Sequence, residues 1–131
     1  MVIDTSAIIA ILLVEPEMNI FVEILAANPP LAISAATFHE ASVVMAGKAK
    51  NAGVRLFDDF IRNLAIEVEP VRIEDAIAAR EAYFKYGRGY HAAGLNLADC
   101  FAYALAKSRN EPLLFKGDDF SKTDIVPACR S

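Results

Sequence analysis

Two cysteines and two histidines are all the soft or imidazole metal ligands in this 131-residue sequence. Cys100 and Cys129 do not stand at metal-site spacing and no histidine pair accompanies them, which argues against a zinc centre. With no export signal, a disulfide is not expected, and Cys100 reads as a small core residue. A long apolar run is missing too. The longest, Ala7 to Val14, is too short to cross a bilayer as a helix. Asp4 stands where a signal peptide needs positive charge. These absences point to a cytoplasmic protein with no membrane contact. Positive charge is also scarce: 13 Lys and Arg against 17 Asp and Glu leave a net charge of −4. A nucleic-acid partner would need the basic residues segregated on one face, or the acids gathered in a metal site. The sequence leaves both open.

Hydrophobic residues make up 55% of the chain, enough for one packed core, and the length suits a single domain over residues 1–131. Met1-Val2-Ile3 reads as a short buried strand ending at Asp4. Thr5 and Ser6 then offer hydroxyl caps to a helix from about Ala7. Glu15-Pro16-Glu17 interrupts that helix. A second runs from about Glu17 to Ala27, with Ile20, Phe21, Ile24 and Leu25 on one face. After the break at Asn28-Pro29-Pro30, Leu31–Ile33 is a strand and Ser34–Thr37 a turn. A helix then runs to about Lys50, with Gly53 the expected left-handed cap. A further helix spans about Leu56 to Ala65, a third strand Ile66–Val71, and a helix Asp75–Phe84. A glycine-rich loop covers residues 86–94. Asn96 caps a helix to about Ser108, Leu113–Phe115 forms a fourth strand, and a last short strand is expected near Ile125-Val126. Short buried strands alternating with helices predict an α/β fold with a central parallel sheet of four to five short strands and helices on both faces. The ligand site of such a sheet lies beyond the carboxyl ends of its strands.

Acids collect at those ends. Asp4 ends the first strand. Glu40 lies one turn into the helix after the second. Asp99 lies one turn into the helix before the fourth, and Asp118 and Asp119 follow the fourth directly. Clustered carboxylates repel, and without a cation some are forced neutral. A hard divalent ion, Mg²⁺ or Mn²⁺, removes that conflict and supports hydrolysis of a phosphodiester. Each acid also has a structural alternative. Asp4 can cap the first helix. Thr37-Phe38-His39-Glu40 has the form of a capping box. Asn96-Leu97-Ala98-Asp99 is a looser version of it, and Asp118-Asp119 suits a turn.

Val2-Ile3-Asp4-Thr5-Ser6-Ala7 resembles the opening of PIN-domain nucleases, above all the VapC toxins of VapBC toxin–antitoxin pairs. Ser34 to Glu40, Ala93 to Cys100 and Leu113 to Phe120 are similar to the later motifs of that family, in order and across nearly the whole chain. The resemblance implies a PIN-like three-layer α/β/α sandwich, Mg²⁺ or Mn²⁺ dependence, cleavage of RNA, a VapB-type antitoxin partner and a homodimer. It assigns metal binding to Asp4 and Asp99, with Glu40 completing the acidic pocket. Many relatives carry the fourth acid as Thr-x-Asp. Here Phe115 and Gly117 occupy those places, so the role passes to Asp118, or less readily to Asp119. Arg88, Tyr90 and Lys116 are candidate RNA contacts, and Thr5 and Ser6 candidate groups for orienting Asp4. His39 reads as a surface residue and His91 as a loop residue.

Two rival functions are weighed. An aspartate-based phosphatase would need a second Asp two residues after Asp4, where Ser6 stands, and a phosphoreceiver would need one where Pro70-Val71-Arg72 stands. A PIN-like protein-interaction module without activity would not require Asp4, Glu40 and Asp99 together.

Overall fold

The computed structural model describes residues 1–129. Four strands, Val2–Ile3 (β1), Ala32–Ser34 (β2), Glu67–Glu69 (β3) and Leu113–Leu114 (β4), form one sheet in the order β3-β2-β1-β4. Every pairing is parallel: Val2 lies opposite Ala32 and Leu113, and Ile33 opposite Val68. The expected last strand is reduced to a single bridge between Pro127 and Leu113, in which the Leu113 N–H donates to the Val126 carbonyl and the Ala128 N–H to the Leu113 carbonyl, each at 2.9 Å.

Successive strand residues face opposite sides of a sheet, and the core divides accordingly. Ile3, Ile33 and Leu114 pack with Ile8, Leu25 and Phe57, from the helices Thr5–Leu12 (α1), Met18–Ala27 (α2) and Ala35–Asn63 (α3). Val2 and Leu113 pack on the other side with Ala79, Leu95 and Tyr103, and the helices there are Ile73–Tyr86 (α4) and Leu97–Arg109 (α5). The result is the expected α/β/α sandwich. β1 and β4 are buried on both faces, which is why they read as unbroken apolar runs rather than alternating ones. β3 is an outer strand of the sheet, and its Glu67 and Val68 are exposed. Among the described residues no helix is long and apolar enough to cross a membrane.

Two local expectations fail at α3. The helix starts at Ala35, directly after Ser34, whose hydroxyl accepts from the Ala36 N–H at 3.1 Å. There is no intervening turn. The helical backbone is broken at Ala49 and Lys50, the latter at φ +54°, where the first helix is expected to end, and the second arm begins at once at Asn51 rather than near Leu56. Gly53 is not a left-handed cap. It lies against the preceding arm, where an added Cβ would stand 2.2 Å from the Met45 carbonyl oxygen. Only glycine permits that approach.

Candidate active site

β1 runs out at Asp4, and its carboxylate caps α1. Oδ2 accepts from the Ser6 backbone N–H at 3.0 Å and from the Ser6 hydroxyl at 2.6 Å. The cap expected of Thr5 or Ser6 is therefore supplied by Asp4, and both hydroxyl residues lie inside the helix. The Ser6 hydroxyl also accepts from the Lys116 N–H at 2.9 Å, so one side chain joins the end of β1 to the segment after β4. That segment is held again by the Lys116 ammonium, which pairs with Glu15 and, at 3.2 Å, with Glu17 in the turn between α1 and α2. Lys116, considered as an RNA contact, is engaged within the protein.

Asp4 is only 3% exposed. Burial lifts its carboxyl above the ordinary range, the charge of Glu40 adds to that, and the Ser6 hydrogen bonds oppose it. Asp99 stands at the third position of α5 in a complete capping box. Its Oδ2 accepts from the Asn96 N–H at 2.9 Å, and Asn96 Oδ1 accepts from the Asp99 N–H at 2.9 Å. One carboxylate oxygen thus serves the helix, while Oδ1 makes no hydrogen bond among the described residues. Burial is the main force pushing Asp99 up to about 7, and the charges of Asp4, Glu40 and Asp119 push the same way.

Glu40 sits half-buried in the second turn of α3. Because Ser34 is the cap, Thr37 and Glu40 do not form a capping box, and the Glu40 carboxylate makes no hydrogen bond among the described residues. The segment after β4 reaches the group through Asp119, whose charge is felt at Asp99. Asp118, the preferred fourth acid on sequence, is exposed beside it, with its backbone carbonyl accepting from the Ser121 hydroxyl at 2.6 Å.

Four chain segments thus bring Asp4, Glu40 and Asp119 within electrostatic reach of Asp99 at the carboxyl end of the sheet. Among the described residues no three His, Cys, Asp or Glu side chains are gathered closely enough to hold an ion as they stand. The donor chemistry nevertheless suits a hard divalent cation, since every acid in the group offers oxygen alone. The buried Thr5 hydroxyl, next to Asp4, also lacks a hydrogen-bond partner among the described residues. Neither histidine joins the group. His39 is exposed, and His91 accepts from the Ala93 N–H through Nδ1 while its ring meets the Tyr86 ring edge-on. The Lys116–Glu15–Glu17 clamp had no signal in the sequence, because its partners lie about a hundred residues apart.

Comparison with known proteins places this arrangement. The sequence matches the PIN domain family over residues 1–126. It is 42% identical over 126 residues to a protein of Mycolicibacterium smegmatis named ribonuclease VapC, covering 96% of this chain and 98% of that one. It is 43% identical to ribonuclease VapC30 of Mycobacterium tuberculosis, covering 96% of each chain. Among solved structures it superposes on M. tuberculosis VapC20, a toxin that cleaves the sarcin–ricin loop, with a TM-score of 0.78 at 16% identity over 95% of each chain. A toxin–antitoxin complex from Klebsiella pneumoniae gives 0.70 at 20% identity, covering 99% of this chain and 98% of that one. The shared fold, the full-length match and the identity to VapC ribonucleases together show that the chain belongs to the PIN-domain family.

Proposed function

We propose that this protein is a metal-dependent endoribonuclease and the toxin of a VapBC-type pair, with Asp4, Glu40, Asp99 and an acid after β4 holding Mg²⁺ or Mn²⁺. The observation that carries the reading is the meeting of these carboxylates from β1, α3, α5 and the segment after β4, with the charge of Glu40 felt at Asp4 and those of Asp4, Glu40 and Asp119 felt at Asp99. Full-length identity to proteins named ribonuclease VapC supports RNA as the substrate and a VapB-type antitoxin as the partner. Asp119 replaces Asp118 as the favoured fourth acid, since its charge reaches Asp99. A homodimer and a cytoplasmic location belong to the same reading.

A divalent cation bound here would stabilise the charge that develops on a phosphodiester and make water a better nucleophile. The rest is done by the chain. Ser6 fixes the rotamer of Asp4 through two donors. Asn96 fixes Asp99 through one oxygen and leaves the other for a ligand. The Ser6 bond to Lys116 N–H, with the Lys116 ion pairs, holds the segment that carries Asp118 and Asp119 against the rest of the site.

Titrating Mg²⁺ while following thermal unfolding tests the site. Binding to the native pocket raises the melting temperature of the wild type, and Asp4→Asn loses most of that rise. A wild type that does not respond is an interaction module and not this enzyme.

A further inference from the structure

We propose that the groove between α4 and α5 is a subsite for a base of single-stranded RNA, next to the carboxylates; this rests on the ribonuclease reading above. The groove has a volume of about 510 Å³, within the range of small-ligand sites. Its walls include the half-buried rings of Tyr83 and Phe101, and the small side chains of Ala76 and Ala79 leave the space between the helices open. Arg80 and Arg88 line it as well. Neither has a carboxylate partner among the described residues, so both guanidinium groups are available to a ligand, as are other surface cations such as Lys48, Arg55 and Lys122; what sets these two apart is that they line one groove. Arg88 is held in place by its backbone: its N–H donates to the Leu95 carbonyl at 3.1 Å, and its carbonyl accepts from the Tyr83 hydroxyl at 3.1 Å.

The groove is continuous with the acids. Asn96, which caps α5 by bonding Asp99, is also part of its lining. On α5, Leu97, Cys100 and Phe101 share the face toward the groove, while Asp99 lies about 100° round the helix from Cys100 and about 160° from Leu97 and Phe101, so groove and acids meet at the N-terminal end of α5, where Asn96 touches both. A strand that rounds the N-terminus of α5 with one phosphate at the carboxylates brings a nearby nucleotide to the groove. Aromatic faces accept any base by stacking. Guanidinium groups stack as well and pair with the flanking phosphates. Two unpaired arginines in a chain of net charge −4 fit a polyanion.

The test measures fluorescence anisotropy of a labelled mixed-sequence octaribonucleotide and of its abasic counterpart. It uses the full chain carrying Asp4→Asn, with Mg²⁺ present, so that bound RNA is not cut. Adding Phe101→Ala weakens the base-bearing oligomer by roughly fivefold or more and leaves the abasic one unchanged. Adding Arg80→Gln with Arg88→Gln weakens both, and lowers the slope of log K against log salt by about 1.4, or about 0.7 per lost phosphate contact. The arginine pair is exposed, so it tests the groove even if Phe101→Ala does not fold. Unchanged affinity and salt slope in these variants overturn the subsite. So does a shift from dimer to monomer on Phe101→Ala with RNA affinity per chain retained, which assigns the groove to a second copy. Both results leave RNA cleavage by the wild type intact. A wild type that neither binds nor cuts RNA removes the ribonuclease reading, and the groove with it.

Discussion

Asp99→Asn separates the electrostatic cost of the acid group from its use. In the folded protein Asp99 titrates at about 7 against an ordinary 3.8, so the folded state holds a proton that the unfolded state has lost. Stability therefore falls as pH rises from about 4 to about 7 and levels off above that, the reverse of a salt-bridged aspartate. At full ionisation the cost has an upper bound of about 4 kcal/mol, at about 1.4 kcal/mol for each pH unit separating the folded and unfolded titrations. Asp99 is partly exposed, and solvent screening reduces this to about 2 kcal/mol. Asparagine keeps an oxygen to accept from the Asn96 N–H and carries no charge. In EDTA at pH 8, Asp99→Asn is expected to melt about 6–10 °C above the wild type for a domain of this length. At pH 4 the difference shrinks toward zero. With Mg²⁺ at a hundred times its Kd the wild type gains about 2.7 kcal/mol and the variant much less, so the order of melting temperatures reverses. Calorimetry across pH in EDTA and in Mg²⁺ checks both halves. A variant less stable than the wild type at pH 8 in EDTA, or a difference independent of pH, refutes the reasoning.

Other substitutions test the supports around the site. Ser6→Ala removes a donor to a buried carboxylate and an acceptor for the Lys116 N–H. It is expected to cost about 1.5–3 kcal/mol in denaturant melts and to depress RNA cleavage in a single-turnover assay. Gly53→Ala drives a methyl group into the Met45 carbonyl and should lose about 1–3 kcal/mol, read from the urea midpoint. Val14, a β-branched residue at φ +56° just past α1 and 71% exposed, is strained there. Val14→Gly should raise stability by about 1 kcal/mol in the same assay.

Much of the sandwich is visible in the residues because local and global demands agree. Val2-Ile3 and Leu113-Leu114 are apolar since both faces of β1 and β4 are covered, and Asn96 with Asp99 announces a capping box that the fold contains. Where two residue types can serve one purpose, the sequence is ambiguous. Ser34 and Thr37 can each begin α3, and only the chain direction out of β2 selects Ser34, which removes the capping role from Glu40. Gly53 can cap a helix or admit a close backbone approach, and the packing of one arm of α3 on the other decides for the second. The preference between Asp118 and Asp119 depends on the path of the segment after Gly117, at φ +100°. That path is set by the Ser6 bond to Lys116 and by the Glu15 and Glu17 ion pairs, all contacts between opposite ends of the chain.

If these carboxylates cut RNA by holding a divalent cation, cleavage follows the cation and the acids together. The direct measurement is the rate of cleavage of purified RNA by the wild type, Asp4→Asn and Asp99→Asn as Mg²⁺ is titrated from EDTA upward. The expected result is no cleavage by the wild type in EDTA, a rate that saturates with Mg²⁺, and loss of at least about a hundredfold in either variant, a barrier change of about 2.7 kcal/mol. Cleavage that persists in EDTA, or full activity in Asp99→Asn, would contradict it.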